Sequence, residues 1–369
     1  MCLENEGVVL VAEQTITQDI LFSELAAQQG AIGQIVLNRP QALNALSTSM
    51  CQTIREQLQQ WQTDAHVKAV LIRGKGERAF CAGGDIRVLY QQGRENIAAA
   101  KTFFQQEYQM NAALFHFNKP YIALLDGITM GGGAGISIHG SHRVATERLV
   151  FAMPEVGIGF FPDIGAGHFL TRCPHRMGYY LGLTGDRISA SDAKALGLVT
   201  HIISSQQQED LIKTLLTTPF DAHDFEFISG LIDSFSVAME APKLAPYTAL
   251  IEKCFSVASV EEAIARLTAD ASTWSLSIVK TLQTRSPTSL KVTWEQLKRA
   301  AHQTFDATMQ MELNIAYQFL NTHDFFEGVR AAVIDKDQTP HWQPSQLAAV
   351  TPTIIDAFFT TKELPKRGD

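Results

Sequence analysis

From Val8 to about Ile203 short β-rich runs alternate with stretches of helical periodicity, and after His201 the β-rich runs stop. The spacing predicts strands at Ile32 to Leu37, Ala69 to Ile72 and Tyr121 to Leu125. Between them it predicts a helix opened by Ser47 and a second helical stretch from Asn96. Apolar Met50, Ile54, Leu58 and Trp61 recur at three- and four-residue steps behind Ser47, the pattern of a capped amphipathic helix lying on a sheet. Alternation of this kind implies an α/β core over residues 8–203.

Beyond that point Asp210 to Leu216, Val260 to Leu267, Ser289 to Ala301 and Thr304 to Leu320 all carry helical periodicity. Residues 204–360 are therefore expected to be mainly helical. Pro242, Pro246, Pro287, Pro340 and Pro344 punctuate the region, but no long Gly/Ser linker precedes it, so it is expected to pack on the core.

A chain of 369 residues with 46% hydrophobic residues can bury a large interior. Its 30 basic and 38 acidic side chains leave a net charge of -8, which argues against a general nucleic-acid or membrane-surface binder. The longest apolar runs are broken well short of a membrane span. Five scattered cysteines, Cys2, Cys51, Cys81, Cys173 and Cys254, show no CxxC spacing, so neither a disulfide framework nor a zinc site is expected. The start, MCLENEGVVLVAEQ, lacks the basic and then long apolar character of a secretory signal, and the expected location is cytoplasmic.

Two glycine-rich turns each follow a strand-like run and open a helix-like one. In ERAFCAGGDIRVLY the turn is Ala82-Gly83-Gly84-Asp85; in KPYIALLDGITMGGGAGISI it holds Gly131, Gly132, Gly133 and Gly135. Neither has the Lys-Ser or Lys-Thr of a P-loop, nor the GxGxxG of a dinucleotide fold. Close helix packing explains glycines equally well. Two sets of free amides aimed at one oxygen would instead form an oxyanion hole for a carbonyl substrate, with Gly84 as a candidate donor.

A third segment, LVFAMPEVGIGFFPDIGAGHFLTR, sets Glu155 and Asp163 among apolar and aromatic residues. Burial of a carboxylate is costly and raises its pKa, so such acids are often kept for chemistry.

Together these segments resemble the crotonase (enoyl-CoA hydratase/isomerase) superfamily: FCAGGDI and GITMGGG are similar to its oxyanion-hole signatures, and RPQALNAL to its coenzyme A loop. FFQQEY, FAMPE, GFFPDIG and the C-terminal HDFFEGVRAAVIDKDQTPHWQP extend the likeness over nearly the whole chain, toward the 3-hydroxyisobutyryl-CoA hydrolase branch. The resemblance implies a spiral of ββα units and oxyanion amides at Gly84 and Gly132. It also implies substrate-facing acids at Glu107, Glu155 and Asp163, an acyl-CoA substrate, a role in valine breakdown, and no cofactor apart from the coenzyme A of that substrate. Homo-oligomers are common in the superfamily.

A hydratase of this superfamily uses two glutamates, one of them two residues after the glycine triplet, where this chain has Gly135. A hydrolase of the branch instead pairs the retained glutamate with an aspartate eight positions on, here Glu155 and Asp163. Hydrolysis is the expected chemistry, with Glu155 as nucleophile or general base and Asp163 as its partner. Glu107 lies in an amphipathic helix, where an acid is usually solvated; the resemblance alone places it near the acyl group. His139, His142, His168 and His175 fit no metal motif, Ser137 lacks a GxSxG elbow, and Cys81 reads as packing, so no metal or serine nucleophile is expected. Arg39, Lys75, Arg78 and Arg87 lie near the loops similar to the coenzyme A site. A hydratase or isomerase, and a non-catalytic interaction protein on the same fold, are the alternatives.

Overall fold

The computed structural model describes residues 10–17 by their backbone, and residues 19–360 in full. The expected start at Val8 and the N-terminal MCLENEGVV lie outside the described residues. Among the described residues ten strands run in the order β1 (Leu10–Thr17), β2 (Ile20–Ala26), β3 (Ala31–Leu37), β4 (Val67–Gly74), β5 (Ala79–Cys81), β6 (Tyr121–Leu125), β7 (Ile128–Met130), β8 (His142–Thr146), β9 (Val150–Ala152) and β10 (His201–Ile203). Seven form one sheet in the order β1-β2-β3-β4-β6-β8-β10, antiparallel up to β3 and parallel from there. The other three form a small sheet, β5-β7-β9.

This partition reveals a repeat. A longer strand, a short strand and a helical stretch recur, as β4-β5, β6-β7 and β8-β9, each followed by helix. The longer strands lie side by side in the large sheet and the short ones form the small sheet, which is the expected spiral of ββα units. A mainly helical C-terminal region follows, again as expected.

The chain divides into two compact units, both discontinuous. One comprises the described residues up to Gly84 with Gln109–Phe151 and Arg187–Ala245; the other comprises Asp85–Tyr108, Ala152–Asp186 and the described residues from Pro246. These units do not part at residue 203. Helices Gln208–Thr217 and Phe225–Asp233 belong to the first because Leu211, Leu215, Ile228 and Ile232 pack on Ile32, Leu71 and Leu124 of the large sheet. Losing strand periodicity is thus not the same as leaving the sheet.

The opposite face of that sheet is covered by helix Thr48–Thr63. Ser47 caps it, its Oγ accepting from the Met50 amide at 3.3 Å. The helix buries Ile54, Leu58 and Trp61, each stabilising by roughly 1.5–3 kcal/mol. Gly33, next to Ile32 and so on the other face, allows the approach: a Cβ there would stand 2.7 Å from the Trp61 ring. At the other end buried Lys119 donates to the carbonyls of Trp61 and Asp64, both at 2.5 Å.

In the second unit the two phenylalanines before Asp163 anchor the chain. Phe160 stacks on Phe104 at 5.2 Å, and Phe161 on Phe319 at 5.5 Å. The C-terminal HDFFEGVR run braces the preceding turn: a Cβ on Gly328 would lie 2.3 Å from the Ile158 backbone, and one on Gly159 2.0 Å from the Asp324 carbonyl. Asp324 is buried and accepts from Ser286 Oγ at 2.6 Å and the Gln343 amide at 2.7 Å. Gly328→Val is therefore expected to push the Glu155–Ile158 turn aside. Overpacking costs about 1–3 kcal/mol, so a thermal melt should show a clear fall in Tm.

Candidate functional site

Strands β5 and β7 pair in parallel, with Ala79 beside Ile128 and Cys81 beside Thr129. Each then runs into one of the glycine turns, so both turns emerge from the same end of neighbouring parallel strands, where α/β folds commonly place ligand-binding backbone. Gly83 adopts φ +109°, which strains any other residue, and its open face looks at the other turn: a Cβ would lie 3.3 Å from the Gly132 amide nitrogen. Gly84 is held by a parallel bridge to Leu46, and the Leu46 amide donates to Gly83 O at 2.8 Å. Gly132 is the first residue of the helix Gly132–Ile138, so its amide has no carbonyl four residues back within that helix. Close packing is also present. A Cβ on Gly133 would fall 2.1 Å from the Cys81 carbonyl.

RPQALNAL folds as a tight loop before the first helix. Leu43 and Asn44 are left-handed, and buried Asn44 pins the loop by donating to the carbonyls of Ala79 at 2.9 Å and Lys75 at 3.1 Å. Arg39 braces it, reaching the Ala45 carbonyl at 2.7 Å. Arg87 instead donates to the Val333 carbonyl at 2.8 Å. His142 is buried against Ser141, Phe225 and Ser229, and burial lowers its pKa to about 4. His168 is lowered to about 4 mainly by burial, and His175 pairs with Glu252 at 2.9 Å. Cys81 is buried beside Gly83, a packing position.

The acids lie in the second unit. β9 leads into the 3-10 turn Glu155–Ile158, and the GFFPDIG turn carries Asp163. Glu107 and Tyr108 lie on helix Ile97–Phe115. Glu107, Glu155 and Asp163 are only 2%, 6% and 5% exposed, and their charges interact. Burial, then the charges of Asp163 and Glu155, push Glu107 well above the usual carboxylate range. Burial, then Asp163, does the same to Glu155. Asp163 rises to about 7, driven by burial but opposed by the Tyr108 hydroxyl, which donates to Asp163 Oδ2 at 2.7 Å. Like charges in a dry site cannot all ionise near neutrality.

Glu107 Oε1 and Glu155 Oε2 are buried without a hydrogen-bond partner in the protein. Such orphaned atoms are costly and are common where a ligand completes the bonding. Sequence reasoning missed three polar residues. Tyr108 reads as a core aromatic. Glu312 reads as one acid on an amphipathic helix, yet it is fully buried. Asn111 is also fully buried, with neither side-chain polar atom partnered. The one signal for Asn111 was a short polar group on a buried stretch of helix.

Residues 32–359 match the enoyl-CoA hydratase/isomerase family. The chain is 41% identical over 348 residues to the mitochondrial 3-hydroxyisobutyryl-CoA hydrolase of Danio rerio, covering 93% of this chain and 90% of that one. It is 40% identical over 340 residues to the mitochondrial 3-hydroxyisobutyryl-CoA hydrolase of Homo sapiens, covering 91% and 88%. Among solved structures it is similar to a carnitinyl-CoA dehydratase from Mycobacterium thermoresistibile, with TM-score 0.86, 34% identity, and 94% and 98% of the two chains covered. The expected cytoplasmic location is corrected by these relatives, which are mitochondrial by name. Scattered cysteines imply only a reducing compartment, and location depends on targeting rather than on fold, so composition could not separate the two. Similarity of this extent establishes that the chain belongs to the enoyl-CoA hydratase/isomerase family, where it stands with the 3-hydroxyisobutyryl-CoA hydrolases.

Proposed function

We propose that the protein hydrolyses a short 3-hydroxyacyl-CoA thioester, 3-hydroxyisobutyryl-CoA above all, to the free hydroxy acid and coenzyme A, as in valine breakdown. The observation that carries this reading is the buried pair Glu155 and Asp163, present where Gly135 replaces the first glutamate of a hydratase. In this reaction the amides of Gly84 and Gly132 hold the developing oxyanion. Glu155 either attacks the carbonyl carbon, giving a mixed anhydride that water then opens, or takes a proton from the attacking water. On either route the carbon–sulfur bond breaks and the departing thiolate gains a proton. Asp163 is the partner of Glu155, orienting the substrate hydroxyl, the water or Glu155 itself, and Glu107 faces the 3-hydroxyl. Coenzyme A enters as part of the substrate.

Release of free thiol from 3-hydroxyisobutyryl-CoA, followed with a thiol reagent, tests the reading directly. Hydration of crotonyl-CoA without thiol release would replace it with a hydratase. No reaction with either thioester would favour a non-catalytic role. Tyr108→Phe probes the acid pair: it removes the hydrogen bond that lowers Asp163, so Asp163 should ionise only above about 7. The acid limb of the pH–kcat profile should accordingly move to higher pH.

A further inference from the structure

Glu312 is a buried acid that the proposed reaction does not use. It sits on helix Phe305–Phe319, and its two oxygens face the turn that carries Asp163. Oε2 accepts from the Gly165 amide at 2.6 Å; Oε1 accepts from the Gly167 amide at 2.8 Å and from Gln296 Nε2 at 2.9 Å. Gln296, on the neighbouring helix Pro287–Ala300, is itself fully buried and also donates to the Pro162 carbonyl at 2.7 Å. Asp163 is thus gripped through the residue before it and through two amides after it.

The turn needs such a grip. Ile164 has φ 57° and Gly165 φ 85°, so two consecutive residues are left-handed, the first of them β-branched. A branched residue in this region is strained and persists only where the surroundings over-determine it. Phe160 and Phe161 fix the chain on one side, and the Glu312–Gln296 pair fixes it on the other.

We infer that Glu312, together with Gln296, is a positioning residue for Asp163, holding the strained turn so that the Asp163 carboxylate keeps one direction. A carboxylate suits the task because three N–H donors converge on two oxygens; a carboxamide would turn its own donor toward one of them. The Asp163 charge raises Glu107, Tyr108, Glu155 and Glu312, and the Tyr108 hydroxyl in turn donates to Asp163. Burial raises Glu312 to about 8, against the amides of Gly167 and Gly165 and the Gln296 donor, which lower it.

The kinetic part of this inference rests on the thioesterase reading, but the clamp itself does not. Glu312→Gln should fold, exchange the Gly165 and Gly167 amide hydrogens faster than wild type, and lose on the order of 10- to 100-fold in kcat with KM little changed. On an Asp163→Asn background the same substitution should lower kcat by less than about twofold, because its effect passes through Asp163. A folded Glu312→Gln with wild-type exchange and kcat would overturn the inference, as would an undiminished loss on the Asp163→Asn background. Gln296→Leu, which frees the Pro162 carbonyl and leaves Glu312 in place, carries the same measurements should Glu312→Gln not fold. Were the wild-type chain not to release thiol, the functional reading would fall, and the exchange rates of Gly165 and Gly167 would still decide the clamp.

Discussion

Glu155→Gln is expected to lower kcat for 3-hydroxyisobutyryl-CoA hydrolysis by about two to four orders of magnitude, the range for loss of a general base, with a smaller change in KM. Glutamine keeps the side-chain volume at a buried position, so stability should be nearly unchanged and the loss can be assigned to chemistry. Only the wild-type carboxyl can shed a proton, whether it attacks carbon or activates water. Single-turnover reaction in oxygen-18 water separates the two routes. Direct attack places the label in the hydroxy acid, whereas an anhydride opened at the enzyme's carbonyl carbon leaves it in Glu155. Near-normal turnover in the glutamine variant would remove Glu155 from the mechanism.

Asp163→Asn should also cost two orders of magnitude or more, on the order of a lost general-base contribution, and its pH profile should carry a second signature. After burial itself, the Asp163 charge is the largest influence raising Glu155. Asparagine removes that repulsion, so Glu155 should ionise at lower pH in the variant. With Asp163 gone its ionisation should drop out of the acid limb while the plateau falls, so Tyr108→Phe on this background should no longer move the limb. A limb that Tyr108→Phe still moves would mean that it does not report Asp163.

These two experiments bear on acids that sequence marked by motif position and by their apolar surroundings. Their being buried together, with charges that push one another up, belongs to the tertiary structure. Helical elements were easier to read than short strands. Tyr121–Leu125 coincides with the expected strand, and Ser47 caps the expected helix. The C-terminal helices Val260–Asp270, Pro287–Ala300 and Phe305–Phe319 fall within a few residues of their periodic runs. By contrast β7 and β9 went unread, because three residues hold too few alternations for a period to register. Yet those strands build the small sheet that, with β5, brings the glycine turns side by side.

Sequence by itself determined the class of this protein: apolar periodicity set the α/β core and the helical C-terminal region, and the glycine turns with Glu155 and Asp163 pointed to the family. These are local properties, carried by residue type and spacing along one stretch of chain. Only the tertiary structure decided that helices of residues 208–233 belong with the sheet, that Tyr108 donates to Asp163, and that Glu312 grips the turn 147 residues earlier through the Gly165 amide. The physical reason is burial. An acid on a helix has the same letters around it whether water or three N–H donors meet its oxygens, and its ionisation and role follow from that difference.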